Sequence, residues 1–241
     1  MLGQFLEFSV NAPQLASSLD FYRSLGFRDF RVGDILHGPY AVIGDADMAI
    51  GLRSGENGGP VLTFVRPGLR DHLRAFKRRR IGFEFTQLDD DQFHEAAFAD
   101  PNGQRVRLIE ARTCSPPAST QDNVTGCGQF LEYSVATRSA EESAAFWQCL
   151  GFTRAAEGGE PAPWIRVAGC GAVLGFHEGA RFRSGITFGA ASLGARLEYL
   201  RAKRFEPARG VPFGRPGGTA ATLSAPEGTP LYLLETAPDQ D

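Results

Sequence analysis

Gln4-Phe5-Leu6-Glu7-Phe8-Ser9-Val10 returns as Gln129-Phe130-Leu131-Glu132-Tyr133-Ser134-Val135, 125 residues further on. The same displacement relates Phe21-Tyr22 to Phe146-Trp147 and Leu25-Gly26-Phe27 to Leu150-Gly151-Phe152. Towards the far end it relates Pro101 and Gly103 to Pro226 and Gly228, and Leu108 and Glu110 to Leu233 and Glu235. A spacing that holds at both ends requires two copies of nearly equal length, so the chain is a tandem of homologous domains. The expected division is a first domain over 1–112, a linker over 113–127 rich in Ser, Pro, Thr and Gly, and a second domain over 128–237.

Within the first copy, hydrophobic periodicity sets the elements. It predicts a strand over Phe5–Val10, a helix from Pro13 to Ser24 stopped by Gly26, and strands at Phe27–Val32, Tyr40–Ile43 and Met48–Leu52. The order then restarts: strand Val61–Val65, helix Leu69–Arg80, and strands at Phe83–Gln87, Glu95–Phe98 and Arg105–Ile109. This is βαβββ twice per copy and four times in the chain. The fold class is therefore α+β, with helices on one face of cupped mixed or antiparallel sheets and the other face free to curve around something. Alternation puts Leu6, Phe8 and Val10 under the helices and turns Phe5, Glu7 and Ser9 to the free face, with Phe130, Glu132 and Ser134 beside their counterparts. On the last strands, Arg105, Arg107 and Ile109 face the cup in copy one, and Tyr232 and Leu234 in copy two.

The bulk figures narrow the function classes. At 241 residues, 42% hydrophobic and 22% charged, each copy can bury its own core. A net charge of −3 speaks against a nucleic-acid partner. The basic run Lys77-Arg78-Arg79-Arg80 closes a helix, where cations complement the dipole. Cys114, Cys127, Cys149 and Cys170 lack metal-binding spacing and read as free thiols of a reducing compartment. A strand within a few residues of Met1 leaves no room for a signal peptide, and no apolar run is long enough to span a bilayer. The expectation is a cytoplasmic protein with no membrane partner.

Val10, Ser18-Leu19-Asp20-Phe21-Tyr22 and Leu25-Gly26-Phe27, followed by Asp100-Pro101-Asn102-Gly103 and Val106-Arg107-Leu108-Ile109-Glu110, resemble the vicinal-oxygen-chelate superfamily, the group of glyoxalases, bleomycin-resistance proteins and extradiol dioxygenases. The second copy keeps Phe146-Trp147, Leu150-Gly151-Phe152 and Pro226-Glu227-Gly228. The resemblance implies paired βαβββ modules forming two glyoxalase-like domains, each cupped around a cavity. It also implies a divalent ion held by His, Glu or Gln that chelates substrate oxygens as a Lewis acid. The family's ligand positions fall at Phe5, Gly51, Pro60 and Arg107, and at Phe130, Gly175, Ser184 and Tyr232. Those side chains supply almost no metal donors. No cofactor is therefore predicted, although a divalent metal held by displaced ligands stays open.

Glu7 and Glu132 are the candidate catalytic residues, since a glutamate in an apolar strand costs desolvation unless it is paired or used. Either could be a general base or bind a ligand; a structural pair with Arg107, or an edge open to water, is the plain alternative. The ligand-binding set is Phe5, Glu7, Ser9, Arg107, Phe130, Glu132, Ser134 and Tyr232. His94 and His177 are candidates for relocated metal ligands, whereas His72 and His37 read as solvated and Trp164 as core. Gly214-Arg215-Pro216-Gly217-Gly218 reads as a mobile loop near a cavity mouth. The favoured function is metal-independent binding or sequestration of a small aromatic or cationic molecule, as in bleomycin-resistance-like proteins. The alternatives are a lyase, isomerase or dioxygenase-like enzyme, either metal-free with a Glu base or with displaced metal ligands, and a domain with filled cups that serves a protein partner. Pairing as a homodimer is left open.

Overall fold

The computed structural model describes residues 2–30, 39–55, 58–89, 93–111, 125–179, 182–213 and 219–236. Most of the expected linker, together with His37, Cys114 and the glycine-rich stretch 214–218, lies outside them. The first module is β1 (Gln4–Asn11), α1 (Leu15–Ser24), β2 (Arg28–Phe30), β3 (Tyr40–Gly44) and β4 (Ala49–Arg53). The second is β5 (Val61–Val65), α2 (Leu69–Arg78), β6 (Phe85–Gln87), β7 (Glu95–Ala99) and β8 (Arg105–Ile109). The third is β9 (Gln129–Ala136), α3 (Ala140–Cys149), β10 (Thr153–Gly158), β11 (Trp164–Gly169) and β12 (Ala172–His177). The fourth is β13 (Gly185–Ala190), α4 (Leu193–Ala202), β14 (Ala208–Arg209), β15 (Ala220–Ser224) and β16 (Pro230–Glu235).

Each copy forms one eight-stranded sheet, ordered β2-β3-β4-β1-β5-β8-β7-β6 and β10-β11-β12-β9-β13-β16-β15-β14. Both sheets are mixed. β1 runs parallel to β4 and β5 parallel to β8, while β1 and β5 meet antiparallel at the centre. The second sheet repeats these pairings.

Local chemistry explains the helix ends. Gly26 (φ 94°) and Gly151 (φ 103°) follow α1 and α3 in the left-handed conformation that glycine adopts without a Cβ penalty. Ser139 caps α3 by accepting from the Glu142 N–H, and Glu141 and Glu142 add negative charge in its first turn. The Glu110 carboxylate accepts from the Gly68 and Leu69 N–H groups at the start of α2, at 3.1 and 3.2 Å. α1 begins at Leu15, two residues after the expected start at Pro13, and α2 ends at Arg78, short of Arg80. No helix among the described residues is long and apolar enough to cross a membrane.

The two copies share one core. Phe8 stacks on Tyr133 at 4.9 Å, Phe27 meets Phe188 at 6.0 Å edge-on, and Phe64 meets Phe152 at 6.5 Å. Polar latches join the copies in both directions. Tyr22 and Ser18 on α1 donate to Glu227 at 2.7 and 2.6 Å, and Trp147 on α3 donates to Asp100 at 3.1 Å. These contacts bury the helix faces between the copies, and Glu7 and Glu132 lie on strands whose neighbours Phe8 and Tyr133 enter that core.

One backbone feature breaks the simple alternation. Phe5 pairs with Phe64 and Glu7 with Thr63, so Leu6 is an extra residue in β1; between Phe130 and Glu132, Leu131 repeats the arrangement. This β-bulge turns Phe5 back to the core side, where its ring lies 5.2 Å from Phe64 and 5.3 Å from Tyr133. Phe130 likewise meets Tyr133 at 5.0 Å and Phe188 at 6.4 Å. Phe5 and Phe130 are therefore not placed in the cups with Glu7 and Glu132.

Candidate functional site

Register places the site residues. Glu7 lies opposite Thr63, Thr63 opposite Arg107, Arg107 opposite Ala97 and Ala97 opposite Phe85. In-register neighbours share a face, so this row crosses the floor of the first cup. The second cup repeats it as Glu132, Thr187, Tyr232, Thr222 and Ala208. Their strand neighbours Val106 and Leu108 point to the core as expected.

Both glutamates are fully buried, at 0% exposure, and both are satisfied. Glu7 accepts from the Ser9 hydroxyl at 2.6 Å, from the Arg53 guanidinium at 3.0 Å and from the Tyr40 phenol. Ser9 in turn bonds the Thr63 hydroxyl at 3.0 Å. Glu132 accepts from Ser134 at 2.7 Å and from Arg166 Nε at 2.7 Å, and lies 2.5 Å from His177 Nε2. Ser134 continues to Thr187 at 2.6 Å. Buried charge survives because each carboxylate has a guanidinium partner and hydroxyl donors.

The glycines beneath the carboxylates are part of the design. A Cβ on Gly51 would meet the Glu7 carboxylate at 2.3 Å, and one on Gly175 would meet that of Glu132 at 2.0 Å. Each carboxylate is folded down onto a bare stretch of the neighbouring strand, where it faces its cation. Burial alone would raise the Glu132 carboxyl, but the hydrogen bond and charge of His177, the Arg166 guanidinium and the Ser134 hydroxyl hold it down to about 2. In the first cup, burial and then the Glu7 carboxylate push the Tyr40 phenol well above its ordinary value, so it stays a donor.

Glu7 does form a structural ion pair, the plain alternative weighed for it, but with Arg53 in place of Arg107. Arg53 takes Glu7, and Arg107 Nε pairs with Glu95 at 2.6 Å. Arg107 nevertheless lies on the cup floor, as do Ser9, Ser134 and Tyr232. Tyr232 donates to the Arg183 carbonyl at 2.8 Å, and burial pushes its phenol up to about 12. His94 pairs with Glu110 at 2.6 Å. Trp164, expected in the core, instead lies half-buried at the second cup, with the Arg166 guanidinium 5.7 Å from its ring and His177 stacked at 6.2 Å.

Sequence reasoning missed Arg53, Tyr40, Arg166 and the loop residue Phe213. Arg53 and Tyr40 stand opposite each other at the ends of β4 and β3, where a polar residue reads as a solvated terminus. Phe213 comes from a turn after β14, and its ring stacks 4.2 Å from His177. Only the register of distant strands brings these groups together, and no local spacing signals it.

The donor set does not fit the divalent ion that the resemblance implies. A dication beside Glu7 or Glu132 would face a guanidinium already hydrogen-bonded to the same carboxylate. The equivalent positions at Gly51, Gly175, Phe5 and Phe130 supply no donor. Among the described residues no group of three or more His, Cys, Asp or Glu could hold a metal.

By sequence the chain matches no family model and no curated protein. Solved structures match along its whole length. The 2,3-dioxygenase LapB from Pseudomonas sp. KL28 superposes with a TM-score of 0.63 at 14% identity, covering 99% of this chain and 94% of that one. Homoprotocatechuate 2,3-dioxygenase from Arthrobacter globiformis gives 0.63 at 14%, covering 97% and 80%. The Mn(II)-bound glyoxalase from Novosphingobium aromaticivorans gives 0.60 at 12%, covering 96% and 81%. At such identities the likeness is one of fold, and it agrees with the repeat, the four βαβββ modules and the paired cups: the chain has the vicinal-oxygen-chelate fold in its tandem two-domain form.

Proposed function

We propose that the protein binds a small planar molecule on the concave faces of its sheets and holds it without metal and without chemical turnover. One observation carries this reading: in both cups the floor glutamate is locked in a buried carboxylate–guanidinium pair, Glu7 with Arg53 and Glu132 with Arg166. A carboxylate so engaged, and for Glu132 held down to about 2, is a poor general base and a poor metal ligand. What remains around it is a fixed surface of rings and hydrogen-bond donors, which suits recognition. Because each glutamate already has its cation, a cationic ligand is not favoured and a planar aromatic one is. The division into domains over 1–112 and 128–237, a cytoplasmic setting and an absence of nucleic-acid or membrane partners belong to the same proposal.

A second reading rests on the 2.5 Å contact between Glu132 and His177 Nε2. A carboxylate that orients an imidazole leaves the other ring nitrogen able to move a proton, so His177 replaces Glu132 as the base of a metal-free enzyme. Thermal-shift screening against planar aromatic acids, neutral arenes and aromatic amines separates the two. The binding reading expects a stabilising compound that mass spectrometry recovers unchanged after long incubation. Recovery of an altered compound would replace it with the catalytic reading, and a panel with no stabilising member would contradict it.

A further inference from the structure

The second cup is occupied by its own side chains. Phe213, 9% exposed, stacks on His177 at 4.2 Å with 27° between ring planes. The same ring lies 4.9 Å from Phe182 and 5.0 Å from Tyr232, edge-on to the latter. Phe182 closes the box by meeting Tyr232 edge-on at 5.8 Å. His177, Phe182 and Tyr232 thus form three walls of one ring-sized space, which Phe213 fills. Phe213 enters from a turn, and no strand fixes it in place.

Below the ring the floor holds polar groups with capacity to spare. Arg166 spends Nε on Glu132, and its terminal nitrogens make no hydrogen bond among the described residues. His177 spends Nε2 on Glu132, and its Nδ1 has no hydrogen-bond partner among them. Arg183, on the exposed side, receives the Tyr232 hydroxyl on its carbonyl and turns its guanidinium to the Gly228 carbonyl at 3.4 Å.

We propose that Phe213 is a tethered stand-in for a ligand: it sits in the seat of a planar aromatic ring, and an aromatic carboxylate displaces it, placing its ring on His177 and its anionic group towards Arg166. This deepens the binding reading above and rests on it, naming both the ligand class and the element that keeps the second cup closed. An aromatic ring prefers stacked and edge-on neighbours, which the box already offers. A free carboxylate finds in Arg166 a planar fork of donors. Since Phe213 must leave first, the apparent affinity of the natural chain is lowered by the fraction of time the seat is empty.

The test is calorimetric titration of 2-naphthoate into the unaltered chain and into Phe213→Ala. The expected result is one site in the variant, bound roughly 10- to 100-fold more tightly, the range set by the burial of one aromatic ring. In that variant 2-naphthoate should bind more tightly than 2-naphthylmethanol, and the 2-naphthylmethylammonium ion most weakly. A folded Phe213→Ala that binds 2-naphthoate no better than the unaltered chain overturns the proposal, and a preference for the ammonium ion overturns the assignment of the ligand class. If Phe213→Ala fails to fold, Phe213→Leu, which keeps apolar bulk and loses the flat ring, should gain less, about threefold; no gain overturns the proposal equally. The wider binding reading fails separately, on a panel in which nothing stabilises the unaltered chain.

Discussion

Replacing Gly175 by alanine tests how tightly the second carboxylate is held. The new Cβ would stand 2.0 Å from Glu132 Oε1 and 2.1 Å from its carboxyl carbon, far inside any real contact. Glu132 has no free room to retreat, being fully buried and tied to Ser134, Arg166 and His177. Either the sheet shifts, at about 1–3 kcal/mol for overpacking, or the carboxylate leaves its guanidinium, at about 3–5 kcal/mol for a broken buried pair. The midpoint of thermal unfolding should then fall by roughly 2–12 °C if the sheet shifts and roughly 6–20 °C if the pair breaks, at about 2–4 °C per kcal/mol for a chain of this size. Gly194 is the control: a Cβ there meets nothing within 4 Å, and its helical site should gain up to about 1 kcal/mol from alanine. Glu132→Ala removes the obstructing group, so adding Gly175→Ala to it should cost nothing further, a strongly non-additive cycle read by chemical denaturation. Additive losses, or a Gly175→Ala protein as stable as the parent, would refute the packing argument.

Other consequences follow from the same geometry. The carboxyl of Glu132 titrates lower in the folded chain than in the unfolded one, so its contribution is complete above the unfolded value and is lost as pH falls towards about 2. Denaturation midpoints between pH 5 and pH 2, pH values set by the experimenter, should therefore drop more steeply for the parent than for Glu132→Gln, by roughly 3 kcal/mol at most. Parallel curves would contradict it. Trp147→Phe removes the donor to Asp100 and leaves a buried carboxylate short of a bond, which should cost about 1–3 kcal/mol by urea unfolding. An unchanged midpoint would show that the latch between the copies carries no stability. Burial pushes the Cys127 thiol up to about 12, whereas Cys149 is exposed. A maleimide should modify Cys149 rapidly and Cys127 only after unfolding, as peptide mapping would show; rapid native labelling of Cys127 would contradict the shared core.

The architecture was legible because duplication writes it twice. The seven-residue match that opens each copy, and the paired Leu-Gly-Phe signals after α1 and α3, fix module order without any long-range information. Pleat alternation placed Val106 and Leu108 in the core and Glu7, Ser9 and Arg107 on the cup correctly. It failed at Phe5 and Phe130 because a bulge inserts one residue, and Leu6 and Leu131 look like any other strand leucines. The ion-pair partners were illegible for a different reason. Arg53, next but one to Gly51 on β4, reaches Glu7 through the parallel register of β1 with β4, 46 residues away in sequence. The row that Arg107 shares with Glu7 made it one plain alternative for the partner, yet Arg107 pairs with Glu95 on the adjoining strand. Phe213 was invisible because its position depends on a turn after β14.

The central claim is that both cup carboxylates are already spent on guanidinium groups and hold no ion. Elemental analysis of tag-free protein purified without chelator, alongside Glu7→Gln and Glu132→Gln, tests it most directly. The account predicts far less than one equivalent of any divalent metal per chain, unchanged in both variants. Near-stoichiometric metal that disappears with either glutamate would contradict it and make the cup a metal site with displaced ligands.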